Sequence, residues 1–137
     1  MAITLTNGQQ VEDWRVFFRR RLALGSSWDI VQPLELVQLD DNLPVLAATL
    51  TVDGNPYTAP AGASYSIRMR RPDGTSVQAD ALGVDTDGVV YVEFAPPLTS
   101  IAGTGYAAIE ASRSDGSVKC TQIFRLHIAH NPIPGGD

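Results

Sequence analysis

Side chains able to carry chemistry are few and scattered along this chain. His127 and His130 fall in and just after the last strand-like run, and alternation sets His127 on the face opposite Phe124 and Leu126. Neither has an acidic third ligand beside it, so ordinary surface histidines are expected and no metal site. Asp85-Thr86-Asp87-Gly88 carries part of a calcium-loop pattern. It lacks the third acidic position and the bidentate glutamate, which leaves a plain turn. Cys120 is the only cysteine, so the chain has no disulfide framework and no cysteine-based zinc site. It alternates with Val118 and Phe124, which predicts a buried, unreactive thiol. The sequence has no Gly-x-Ser-x-Gly elbow, phosphate-binding glycine loop or His-Glu-x-x-His stretch. Asp40, Asp41 and Glu93 have no evident acid–base partner. The expectation is therefore a protein that is not an enzyme, with no catalytic residue, cofactor or metal.

One concentrated feature remains, the stretch "VEDWRVFFRRRLAL". It gathers Trp14, Phe17 and Phe18 with Arg15, Arg19, Arg20 and Arg21 in a chain of formal net charge −5. Interleaved aromatic and basic residues suit single-stranded nucleic acid, but phosphate binding needs a basic surplus that this acidic chain lacks. A membrane-surface helix would want lysines and one clean apolar face. Two readings are left. The aromatics pack on their own chain with the arginines solvated, or the segment docks into a neighbouring protein. Lys119 is the only lysine among ten basic residues, and arginine suits planar pairing with partner carboxylates. Trp, Phe and Arg are also the types that anchor protein interfaces. Docking through these seven residues is the favoured reading. Tyr57, in "DGNPYTAP", is the one candidate for a loop-tip contact.

These residues need elements to hold them. The 137 residues, 44% hydrophobic and 18% charged, fit one globular domain. Asn7 as a cap, acids at Glu12 and Asp13, arginines at 19–21 and a stop at Gly25 predict a helix over 8–24. Val11, Trp14, Phe18 and Leu22 then share a stripe, although "WRVFF" is also β-prone. From Trp28 onward the period is two. Strands are predicted around 34–39, 45–52, 65–70, 90–94, 105–112 and 118–129, with Asp-Gly turns at 53, 73, 87 and 115. This describes an antiparallel β-sandwich over 28–130, an N-terminal helical or extended arm over 1–27, and an exposed tail over 131–137. The predicted core is Leu34, Leu36, Leu50, Val52, Tyr65, Ile67, Met69, Val90, Val92, Phe94, Ile109, Phe124, Leu126 and Ile128. No signal peptide opens the sequence, and no run approaches the roughly 18 apolar residues of a membrane span.

Residues 45–129 carry a resemblance. Tyr65, Ile67 and Met69 lead into Arg71-Pro72-Asp73-Gly74-Thr75, followed by "GVVYV" at 88–92 and "IAGTGYAAIEA" at 101–111. Cys120, Thr121, Gln122, Phe124, Leu126 and Ile128 close the series. In this order they resemble the N-terminal domain of phage baseplate upper proteins, found in tail and fibre proteins of bacteriophages. The resemblance implies an immunoglobulin-like β-sandwich, no catalysis, and a role as an adaptor in a virion. The first forty residues lie outside it. The expected function is thus a non-enzymatic structural subunit of a tailed-phage virion, made in the host cytoplasm and placed in the tail, baseplate or fibre apparatus. Its expected partners are other virion proteins and further copies of itself, with no membrane; a nucleic-acid-associated packaging or regulatory factor using the arginine patch is the weaker rival. The alternatives are capsid decoration, head-fibre anchoring, or a module gripping a host-surface glycan.

Overall fold

The computed structural model describes residues 2–12, 15, 17–24, 32–38, 43–52, 55–57, 63–114, 116 and 118–131. In chain order the elements are β1 (Ala2–Thr4), β2 (Gln10–Glu12), β3 (Phe17–Ala23), β4 (Leu34–Val37), β5 (Val45–Val52), β6 (Asn55–Pro56) and β7 (Ser64–Arg70). They continue with β8 (Ser76–Asp80), β9 (Gly83–Val84), β10 (Val90–Glu93), a one-turn helix α1 (Pro96–Thr99), β11 (Gly103–Ser112), β12 (Val118–Cys120) and β13 (Phe124–Ala129). Two sheets form a β-sandwich. The first runs β3-β5-β10-β9 with β6 on β5, and the second runs β4-β13-β11-β7-β8 with β12 on β11. Both are antiparallel inside and gain one parallel edge strand each. β3 runs parallel to β5, and β4 runs parallel to β13. That mixed pairing corrects the purely antiparallel expectation.

The helix over 8–24 is not formed. Residues 2–12 make the β1–β2 hairpin instead, turning at Asn7-Gly8, where Gly8 adopts φ +90° and Asn7 Oδ1 accepts the Gln9 N–H. Asn-Gly is a strong hairpin signal, and here it outweighs capping. Residues 17–23 pair in register with Val45–Thr51 along their whole length. The strand wins because it has apolar surface waiting on both sides. Phe18 and Leu22 enter the core between the sheets, while Phe17 enters a second core on the outer side of sheet one. Only a strand, where successive side chains alternate, sends adjacent phenylalanines to opposite faces; in a helix they would point about 100° apart. Full burial of Leu22 alone contributes about 1.5–3 kcal/mol. Residues 17–24, assigned to a docking arm from sequence, are thus hydrogen-bonded into sheet one.

The second core explains why β5 is buried on both faces rather than alternating. Leu46, Ala48 and Leu50 face the main core, whereas Val45 and Ala47 meet Tyr91, Leu5 and Val11 beneath the N-terminal hairpin. Asn7 Nδ2 clamps that hairpin by donating to Leu82 O at 2.8 Å, and Thr6 N donates to Val84 O at 2.7 Å. Most of the predicted core is buried. The exception is Val52, 37% exposed at the end of β5, while Tyr65 is half-buried against the core.

Cys120 is a correction with a structural cause. Ala107 faces Phe124, but Glu110 faces Cys120, so three steps along β11 match four along the opposing chain. The extra residue is a β-bulge spanning Thr121–Ile123, and it reverses the phase of alternation. Thr121 turns inward, and its Oγ1 accepts the Ile109 N–H at 2.9 Å. Val118 and Cys120 turn outward to solvent. Gln122 meanwhile reaches sheet one. Its N–H donates to Ala23 O at 2.9 Å, and its Oε1 accepts the Ala23 N–H at 3.0 Å. The bulge therefore ties the two sheets together at the end of β3.

Candidate interaction surface

The arginine-aromatic segment is largely engaged within its own chain. Phe17 stands edge-on to Tyr91, and the Arg19 guanidinium lies 5.2 Å from the centre of the Phe17 ring. Arg15 pairs with Glu93 at 3.2 Å and also donates to the Leu43 carbonyl. Arg20 lies on the inward side of an edge strand and turns its guanidinium to the carbonyls of Arg19, at 3.0 Å, and Gln32, at 3.5 Å. An inward charge on a sheet edge discourages unwanted pairing. Arg19 and Arg21 are exposed. Trp14 lies outside the described residues. Tyr57 is no loop tip. It is half-buried against the main core, and its N–H donates to Leu50 O at 2.8 Å.

The remaining sequence candidates are held by local contacts. His127 Nδ1 lies 3.1 Å from Glu35 Oε1, and His130 Nδ1 lies 3.1 Å from Gln38 Oε1. His127 thus takes the outer face that alternation assigned to it. Asp85 organises its turn, accepting the N–H groups of Asp87 and Val89 on Oδ1 and the Tyr91 hydroxyl on Oδ2. Burial pushes the Tyr91 phenol above its ordinary range, and the Asp85 carboxylate adds to the shift. Among the described residues no three His, Cys, Asp or Glu side chains come together as a metal site.

A different surface stands out, on the outer face of sheet two. An open groove of about 630 Å³ is lined by residues including Arg68, Arg70, Tyr106, Ala108, Cys120 and Ile123. Three distant parts of the chain build it. β7 contributes Arg68 and Arg70 opposite Ala108 and Tyr106 of β11. β13 places Arg125 opposite Tyr106 on the other side, so a tyrosine sits between two arginines in one cross-strand row. The bulge turns Ile123 out to 71% exposure beside them, and Tyr106 is 47% exposed. Of five large hydrophobic side chains exposed among the described residues, four lie on this face: Tyr106, Val118 and Ile123 near the groove, and Val37 at the β4 edge. Arg68 pairs with Glu110 at 3.2 Å, the carboxylate tucked in at 15% exposure and the arginine standing out at 64%. Alternation in "SYSIRMRR" sets Arg68 and Arg70 on the face opposite Tyr65, Ile67 and Met69. The tyrosine and isoleucine that complete the patch were not singled out from sequence.

Neither a protein-family model nor a curated protein sequence matches this chain. Among solved structures, the chain is similar to the N-terminal domain of phage TP901-1 ORF48, with a TM-score of 0.64 and 13% sequence identity. The match covers 81% of this chain and 98% of that domain. At this identity the likeness is one of fold: a phage protein domain and this chain share the same β-sandwich.

Proposed function

We propose that this chain is a non-enzymatic structural module of a tailed-phage particle, acting as an adaptor in the tail, baseplate or fibre apparatus. The observation that carries this reading is the fold shared with a phage domain over nearly that domain's whole length. The motif resemblance across residues 45–129 points to the same kind of particle from sequence. The site geometry supports an assembly role as well. Most of the large exposed apolar groups among the described residues lie on the outer face of sheet two beside exposed arginines, the arrangement of a docking surface. In the N-terminal segment Phe17 and Phe18 serve the chain's own cores, while Arg19 and Arg21 are exposed where they can meet neighbours. A genetic test is direct. Deleting the coding sequence should yield particles that lack an appendage and fail to adsorb, with recovery when the gene is supplied in trans. Morphologically complete, infectious particles from the deletion would refute the proposal.

A further inference from the structure

We infer that the groove over Ala108 is a docking site for an extended, acidic segment of a partner protein. An aliphatic side chain of that segment rests against Tyr106 and Ile123, and its carboxylates pair with Arg70, Arg125 and the outward side of Arg68. Charge complementarity carries the choice of occupant. The chain is acidic as a whole, with 15 Asp and Glu against 10 Lys and Arg. Around Tyr106 that balance is reversed. Arg70 and Arg125 are exposed and have no carboxylate partner among the described residues. Opposite Arg70 on β8 stands Ser76, and between the two arginines stands Tyr106, so the row contains no acid. Two carboxylates lie further along the face: Arg68 already holds Glu110, and Asp80 stands opposite Ser66, beyond the Arg68–Gln78 pair and away from the Arg70–Tyr106–Arg125 row.

The shape selects an extended peptide over other anionic ligands. Ala108 keeps the floor low between Arg68 and the bulged strand, leaving a trough that follows β11. Its lining mixes methyl groups, a tyrosine and an isoleucine with arginine, the combination that seats one apolar anchor inside a charged rim. Nucleic acid would need successive aromatic platforms and a longer basic track. The biological role of this site rests on the assembly reading above, but its chemistry can be measured on the isolated chain.

The test uses a short fluorescein-labelled peptide alternating Glu with Leu and Val, followed by fluorescence anisotropy. Controls are the same sequence with Lys for Glu and a labelled single-stranded oligothymidine. Saturable binding of the acidic peptide is expected, weakening as salt rises. Affinity should fall about tenfold or more in Arg70→Glu and in Ala108→Glu, both at surface positions whose folding is checked by circular dichroism. No binding of the acidic probe, equal binding by the Arg70→Glu variant, or preference for the Lys peptide or the oligonucleotide would overturn the site. So would concentration-dependent self-association that Arg70→Glu abolishes, since the occupant would then be a second copy. Probe binding by a chain absent from particles would keep the groove and remove the assembly reading. Presence in particles without probe binding would do the reverse.

Discussion

Phe17 meets Tyr91 edge-to-face, with ring centroids 6.2 Å apart and planes at 82°. That contact joins the first strand of sheet one to β10 across the second core. It converts an apparent docking aromatic into a structural one. Phe17→Ala is therefore expected to lower stability by about 1–3 kcal/mol, less than a fully buried phenylalanine because the ring is only half-buried. Urea unfolding of the isolated chain reads this directly. A variant as stable as the wild type would mean that Phe17 faces solvent or a partner.

Gly83 is the seat of the Asn7 clamp. Its φ is +148°, and a Cβ built there would lie 2.8 Å from Asn7 Nδ2. Gly83→Val should push Asn7 off the Leu82 carbonyl and loosen the N-terminal hairpin, leaving the main core folded. Amide hydrogen exchange should rise at Thr6 and Leu5 by an order of magnitude or more, with little change at Ile67 and Ile109. Unchanged protection at Thr6 would show that the hairpin does not depend on this clamp.

The bulge makes a chemical prediction. Since Cys120 points outward, the native protein should react with a thiol reagent in one step, with no denaturant. A thiol reached only after unfolding would return Cys120 to the core and contradict the register of β12.

Tyr91 sets a pH dependence on the alkaline side. Its folded-state pKa lies above the ordinary value of 10, chiefly through burial and then through its hydrogen bond to Asp85. A raised pKa stabilises the fold below the unfolded value, and that contribution is lost as pH rises from about 10 through the folded value. Stability should accordingly decline above pH 10 in the wild type and decline less in Tyr91→Phe, as followed by thermal melts across the alkaline range. Asp73 works in the opposite direction. Hydrogen bonds from Thr75, the hydroxyl first and then the backbone N–H, hold its carboxyl below the ordinary 3.8. Its stabilisation of the 71–75 turn is present above that value and lost as pH falls through the lower one. In Thr75→Val the Asp73 pKa should rise, as read by NMR titration of its carboxyl carbon.

Much of the sandwich was legible because alternation and turn chemistry agree. The strands at 34–37, 45–52, 64–70, 90–93 and 103–112 lie where apolar residues recur at every second position. Gly74 and Gly116 both take the positive φ that their turns require. The N-terminus was misread because Asn7, Glu12 and the arginines satisfy helix-end rules locally, while the decisive partners, Val45 to Thr51 and Tyr91, lie far along the chain. Nothing local betrays the one-residue slip at Thr121–Ile123, because Cys, Thr and Gln are tolerated on either face of a strand. The groove depends on that slip and on three segments, 68–70, 106–108 and 120–125, so only their register in the sheet brings it together.

The measurement that bears most directly on the functional account is mass spectrometry of purified particles separated into heads and tails. The account predicts the chain in the tail fraction, in stoichiometric amount with the other structural proteins. Its absence from both fractions would contradict a role in the particle, and recovery with heads alone would contradict its place in the tail, baseplate or fibre apparatus.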